Sequence, residues 1–467
     1  MTDVKASENK DNITLQCETD TRELVLQILL EVMEKEKMSH YVLRSTLASN
    51  HNMDKAKRAF VSKVSLGTIE NLIYIDSIIN SVSKEKVKKM KPVIRNLLRM
   101  SVYQLLYLEN VPDSAVCNEA VKLAAKHKFH NLKGFVNGVL RNIARGKDDF
   151  EKPDVGTLEG ISLYNSIPVW ILEKWNQSYS IDEIQHMCQH FRQEPPLTVR
   201  VNQSKASMKE VEASLQSQNI VYESHPFLAG VYKLTGIDRL DMVEAFEKGW
   251  IQVQDASSIL CGYAMGLKKD DYLLDLCSAP GGKAIHGADL LMGTGKVWAR
   301  DLTPYKVKMI QDNAKRCHMD NMEISCQDAL VFWGEEQEKY DVVLADLPCS
   351  GLGIIGRKKD IKYRMTQQQQ EELVLLQREI LKNAWRYVKP GGHLIYSTCT
   401  VNSQENQDNV GWIQENTPLQ LESLQPFMPR EVWEEYPECE RGYVQFVPGK
   451  LEMDGFFISR FVRNEFA

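Results

Sequence analysis

From Ile251 to the end of the chain, short apolar runs alternate with segments of helical period, and this alternation narrows the fold more than any other feature. YLLDLC, KVWARDL, MEISCQDA, YDVVLADLP and GGHLIYSTC read as strands. Between the last two, TQQQQEELVLLQREILKNAWRYV reads as a helix whose Thr366 and Gln369 fit a capping box. Strand–helix alternation predicts a parallel sheet covered on both faces, an α/β fold of the Rossmann-like kind. In such sheets ligands bind beyond the carboxyl ends of the strands, near the point where strand order reverses.

The strand ends carry a coherent set of residues. After the first strand comes the turn Cys277-Ser278-Ala279-Pro280-Gly281-Gly282-Lys283, where the glycines let backbone approach a ligand ahead of a helix N-terminus. It is neither a GxGxxG fingerprint nor a GxxxxGK[ST] loop, so a dinucleotide and ATP are both disfavoured. The second strand ends in Asp301, placed to accept bonds from ribose hydroxyls, and the third ends near Asp328, placed to meet an adenine amine. A nucleoside cofactor without a pyrophosphate fits this pattern: S-adenosylmethionine.

The fourth and fifth strands end in Asp346-Leu347-Pro348-Cys349-Ser350-Gly351 and Ser397-Thr398-Cys399-Thr400. Free cysteines are usually buried filler, but Pro and Gly turns at two strand ends expose these thiols rather than bury them. If the strands are neighbours, both thiols share the cofactor's edge. Carbon 5 of cytosine is a poor nucleophile until a thiolate adds at carbon 6 and turns the ring into an enamine. A thiol is suited to that task because it both attacks and leaves well. Asp346 is the candidate acid to hydrogen-bond the ring nitrogen at position 3. The residues alone do not say which cysteine attacks.

The rest of the 467-residue chain predicts further domains at about 150 residues each. Residues 1–20 read as a polar, flexible tail. Over 21–147 the pattern is helix after helix: Leu24, Ile28, Leu29 and Val32 share one face, as do Ile94, Leu97, Leu98, Val102, Leu105 and Leu106, predicting a compact all-α helical bundle. Residues 148–165, acidic and rich in Gly and Pro, read as a linker. Residues 166–250 read as a small α/β appendage to the 251–467 catalytic domain.

Hydrophobic content of 43% and charged content of 26% are globular values. No stretch of about 18 apolar residues suggests a membrane span, and no signal peptide is evident, so a cytoplasmic protein without a membrane partner is expected. The ten cysteines lack metal-ligand spacing, which disfavours a metal site. The net charge of −6 hides two basic runs. Lys84 to Arg99 holds seven basic residues against Glu85, and Lys122 to Arg145 holds six with no acid, which together suggest a phosphate-binding surface for RNA.

CSAPGGK (277–283), DLPCSG (346–351), STCT (397–400) and DGFF (454–457) resemble the RNA cytosine-5 methyltransferases of the Sun family. The helical part, with GTIENLIYIDSII, IRNLLRMSVYQLLYLENVP, NEAV and GFVNGVLRNIARG, resembles the NusB RNA-binding fold. Together they are similar to the bacterial branch of that family acting on 16S, or small-subunit, ribosomal RNA. The resemblance implies that Cys399 is the nucleophile and that Cys349 assists release of the product. It also implies that residues 277–283, Asp301, Asp328 and Asp346 contact S-adenosylmethionine or the edge of the target base. Relatives often carry a paired Arg and a Pro before Asp-Ile-Lys, where this chain has Gly356 and Lys359. Transfer RNA is the alternative substrate, and a non-catalytic NusB-like RNA-binding factor is the rival from another class. No obligate protein partner is evident, and a monomer is expected. A DNA cytosine methyltransferase is disfavoured by the second cysteine.

Overall fold

The computed structural model describes residues 20–151 and 153–464, and the chain forms two compact units divided at Phe150/Glu151. Most of the expected tail, with Cys17, lies outside the described residues. Asp20 does not belong to it: its carboxylate accepts from the Arg22 and Glu23 amides and caps the first helix.

The first unit holds seven α-helices among the described residues: Thr21–Met33, Ser39–Ser49, Lys55–Glu70, Leu72–Val82, Pro92–Tyr107, Asp113–Lys126 and Lys133–Arg145. Pro92–Tyr107 is the hub, buried nearly all round and packed on five of the others. Tyr103 lies against Gly67, where a Cβ would fall 2.1 Å from its ring, so the approach of these helices requires glycine. Two members of the first basic run point inward. Arg95 is bonded to Glu34, and Arg99 makes a paired contact with Asp76 at 2.7 and 2.8 Å. They hold the hub helix to its neighbours, so the expected phosphate surface loses both; Lys84, Lys86, Lys88, Lys89 and Lys91 stay exposed.

The second unit begins earlier than the expected linker ends. Leu158–Asn165 is a helix, capped by the Thr157 side chain. Its Ile161 packs with Ile171, Trp175, Ile184 and Phe191 of the helices Val169–Trp175 and Ile181–Arg192. The acidic stretch that precedes it masked this apolar face. An antiparallel sheet follows, in the order β2-β3-β1-β4, with β1 Leu197–Val201, β2 Val221–Ser224, β3 Val231–Thr235 and β4 Ile251–Val253. β4, expected to open the catalytic domain, pairs with β1 instead.

The large sheet contains β5 Tyr272–Asp275, β6 Lys296–Asp301, β7 Met322–Cys326, β8 Tyr340–Asp346, β9 Val388–Thr398, β10 Leu419–Leu421, β11 Tyr443–Phe446 and β12 Phe456–Arg463. The five expected strands run parallel in the order β7-β6-β5-β8-β9. The sheet is not wholly parallel, because β12 adds antiparallel to β9 and carries β10 and β11. Successive residues alternate between the two covered faces. Leu273, Val342, Leu344 and Ile395 enter one core, while Leu274, Val343, Ala345 and Tyr396 enter the other. Strand order reverses between β5 and β8, which opens a crevice at their carboxyl ends.

Candidate active site at the carboxyl edge

Five parallel strands deliver Asp275, Asp301, Asp328, Asp346 and Cys399 to one edge of the sheet, at or just beyond the strand ends. The glycine turn is fixed by backbone bonds, Ser278 N–H to Arg300 O at 2.8 Å and Gly281 N–H to Ser278 O at 2.6 Å. Gly281 takes φ +101°, a left-handed value that favours glycine, and the Cβ position of Gly282 faces open space. The Gly282–Leu290 helix then starts with its amides at the crevice. Cys277 packs against the sheet core, and burial pushes its thiol well up. Pro280 is exposed, and its carbonyl accepts from Asn313 at 3.0 Å.

Asp301 accepts from Ala279 N–H at 2.9 Å and lies 3.0 Å from Lys306 Nζ, so it braces the glycine turn. Asp328 accepts from Leu330 N–H at 2.9 Å and starts the turn after β7. Asp275 is almost fully buried; the Ser278 hydroxyl and the Cys277 backbone stand near it, but neither carboxylate oxygen makes a hydrogen bond of full geometry among the described residues, and nor does Ser278 Oγ. Burial, with the Asp346 charge nearby, pushes the Asp275 carboxyl up to about 7. Orphaned buried acceptors beside an open glycine cradle suit a ligand that carries positive charge. S-adenosylmethionine, with its sulfonium and ammonium groups, fits the residues present.

At the β8 end, Asp346 accepts from Lys283 Nζ at 2.7 Å and from Ser397 Oγ at 2.8 Å. Burial alone would lower the Lys283 ammonium, but the adjoining Asp346 together with Cys261 and Cys399 outweighs it and holds the lysine above its ordinary range. The two candidate thiols meet: Cys349 Sγ lies 3.3 Å from Cys399 Sγ and also accepts from Cys399 N–H at 3.3 Å. The hydrogen bond from Cys349 lowers the Cys399 thiol, burial opposes this, and Lys358 and Lys283 assist. Cys349 moves the other way, raised well above the ordinary value by that bond and by burial. Either sulfur can donate to the other across this contact, so ionisation of one is supported by the S–H of its partner.

The departures at Gly356 and Lys359 have a structural use. Gly356 lies against the Phe191 backbone, and Lys359 Nζ donates to Phe191 O at 2.8 Å. Leu352, Ile355 and Val401, on the two cysteine loops, belong to the same core as the helices of residues 158–192. Sequence reasoning missed polar residues under the cysteines: Glu405, Asn406 and Gln377 are fully buried, as are Ser350 and Thr400 of the two cysteine motifs. The only sequence signal for Glu405 and Asn406 is the run VNSQENQDN after STCT, which by type reads as surface.

Three families match in chain order: the NusB family over residues 19–145, the RsmF/B-like ferredoxin-like domain over 167–236, and the 16S rRNA methyltransferase RsmB/F family over 263–462. The chain is 34% identical over 445 residues to the probable ribosomal RNA small subunit methyltransferase B of Bacillus subtilis, covering 94% of this chain and 98% of that protein. The crystal structure of PH0851 shares the fold with a TM-score of 0.79 at 23% identity, over 95% of this chain and 99% of that one. NSun6 from Pyrococcus horikoshii, crystallised with SFG, matches with a TM-score of 0.53 at 21% identity, over 62% and 97%.

Proposed function

Because the chain belongs to the RsmB/F family of small-subunit ribosomal RNA methyltransferases, we propose that it methylates carbon 5 of a cytosine in that RNA, with Cys399 as the attacking group. The observation that carries this reading is the pair of thiols in contact, 3.3 Å apart, on the edge that also holds Asp346 and Lys283.

S-adenosylmethionine, the methyl donor, supplies an electrophilic methyl group on a sulfonium. It would be held by residues 277–283, Asp301 and Asp328, with Asp275 balancing its charge. The protein's own residues do the rest. Cys399 adds as thiolate to carbon 6, and the electron pair moves into the ring so that carbon 5 becomes nucleophilic. Asp346, oriented by Lys283 and Ser397, meets the edge of the base, and the Lys283 ammonium beside it offsets the negative charge that the ring takes up. After transfer a base takes the proton from carbon 5, its electron pair re-forms the double bond, and the bond to Cys399 breaks with the sulfur leaving as thiolate. Cys349, already in contact with that sulfur, assists this release. A cytosine in a single-stranded loop is the favoured target, since a paired base would have to flip out. The first unit would hold RNA through its exposed lysines.

The test is methyl transfer from labelled cofactor to unmodified small-subunit ribosomal RNA, with Cys399→Ala and Cys349→Ala beside the wild type. Label in 5-methylcytidine, abolished in Cys399→Ala and trapped as a covalent RNA adduct in Cys349→Ala, supports the reading. Transfer only to a transfer RNA pool would keep the chemistry and overturn the substrate. Failure to bind S-adenosylmethionine would favour a non-catalytic RNA-binding factor.

A further inference from the structure

Glu405 is fully buried beneath the cysteine loops, and both its oxygens are engaged. Oε2 accepts from Ser350 N–H at 2.8 Å and Gln377 Nε2 at 3.1 Å; Oε1 accepts from Ser350 Oγ at 2.5 Å and Asn402 Nδ2 at 3.1 Å. Gln377 Nε2 also donates to Pro348 O at 2.9 Å. The residues on both sides of Cys349 are thus held by one carboxylate and its partner glutamine. Ser350 Oγ lies 2.8 Å from Thr400 Oγ1, which joins this grip to the residue after Cys399.

Cys399 has a separate support. Asn406 Oδ1 accepts from Thr398 Oγ1 at 2.6 Å, and Asn406 Nδ2 donates to Thr400 O at 3.1 Å. Glu405 thus grips the Cys349 loop and reaches the Cys399 loop only through Asn402 and, by way of Ser350, Thr400, whereas Asn406 holds the residues on both sides of Cys399. Apolar side chains of the same volume would fill this space without the desolvation cost of buried polar groups. What the polar filling adds is direction.

We propose that Glu405 is a positioning residue for the release step, pinning the Cys349 loop so that its thiol stays on the Cys399 sulfur. The inference rests on the reading of Cys399 as nucleophile and Cys349 as the releasing group. Without Glu405, Asn406 still holds Cys399 in place for attack, while Cys349 loses its register. A misplacement of about 1 Å at such a site costs on the order of a hundredfold in rate.

The experiment uses the full chain with Glu405→Gln, which sets an amide against donors. Glu405→Asp, which keeps an acceptor carboxylate, serves as the second variant should the first not fold. Cys349→Ala and the double variant Cys349→Ala/Glu405→Gln are the references. Three quantities are measured: turnover on small-subunit ribosomal RNA, covalent RNA adduct on denaturing gels, and iodoacetamide alkylation of each cysteine mapped by mass spectrometry in the free protein. The expected result is turnover down roughly a hundredfold, adduct accumulating as in Cys349→Ala, and altered alkylation of Cys349 with little change at Cys399. The double variant should be no worse than Cys349→Ala, because the two residues act as one unit. Wild-type turnover, loss of turnover without adduct, or multiplying losses in the double variant would each overturn the proposal. If Cys349→Ala itself formed no adduct, the assignment of release to Cys349 would fail instead. Unchanged alkylation of Cys349 in the Glu405 variants would then overturn the positioning role on its own.

Discussion

Lys283 Nζ lies 2.7 Å from Asp346 Oδ2, so the cation of the glycine turn is paired with the acid at the end of β8. Its ring contact is Phe456, 4.9 Å away, in the DGFF segment. Three separate sequence motifs thereby converge on one ion pair. Lys283→Met should lower kcat by about a hundredfold or more through loss of a positioned charge, with a smaller effect on KM for RNA. Asp346→Asn should do the same while leaving the lysine in place. Steady-state kinetics at saturating cofactor measure both; an effect confined to KM would show that the pair binds RNA rather than serving the reaction.

Gly353 and Gly455 cross at their backbones. A Cβ on Gly353 would fall 2.1 Å from Gly455 O and 2.9 Å from Cys399 O, so backbone must shift to admit even a methyl group. Gly353→Ala should displace the Cys399 loop and cut methyl transfer by roughly a hundredfold, with S-adenosylmethionine affinity close to wild type. Single-turnover transfer and calorimetric cofactor binding separate the two effects.

Asp275 gives the pH dependence a sign. Burial raises its carboxyl from the ordinary 3.8 to about 7 in the folded chain. Across that interval the folded protein keeps a proton that the unfolded chain has released, so this contribution to stability is present in acid and is lost as pH rises through about 7. Asp275→Asn should remove the dependence and gain on wild type from pH 5 to 8. A cationic ligand reverses the preference, so S-adenosylmethionine should bind wild type more tightly as pH rises through the same range. Urea unfolding and calorimetry at the two pH values provide the check.

Arg200 and Asp289 form a buried pair at 2.7 Å, and Asp289 also accepts from the Gln203 and Ser204 amides. Arg200→Ala leaves that carboxylate buried without its cation, which should cost about 3–5 kcal/mol in denaturant unfolding. A cost below about 1 kcal/mol would mean that water reaches Asp289.

The basic run from Lys84 to Arg99 divides into two kinds of residue. Changing exposed Lys88, Lys89 and Lys91 to Glu should weaken RNA binding and lower its salt slope by about one for each phosphate that is no longer neutralised. Arg99→Ala should instead destabilise the first unit by about 2 kcal/mol, because Asp76 loses charge-assisted bonds. RNA titrations across salt concentrations, beside thermal melts, distinguish the two.

Period and punctuation were enough to reveal the five parallel strands and the helical bundle, because a strand buried on both faces must be apolar and a packed helix must repeat its apolar face. They also placed Cys349 and Cys399 on one edge, since residues that end parallel strands emerge on the same side of the sheet. Other features depended on contacts between distant segments. β4 reads like any short strand, and only its register with β1 takes it out of the large sheet. The helix Leu158–Asn165 is short and follows an acidic stretch, and its packing against Trp175 and Phe191 is what orders it.

By itself the sequence determined which residue types stand at the strand ends, and so the chemistry open to them. Tertiary structure decided their pairings: Lys283 with Asp346, Cys349 with Cys399, Arg99 with Asp76. It also decided that Glu405 and Asn406 are buried beneath the thiols. The physical reason is that a charged or amide side chain is solvated by default, and its residue type does not reveal whether distant segments will replace that water with hydrogen-bond partners.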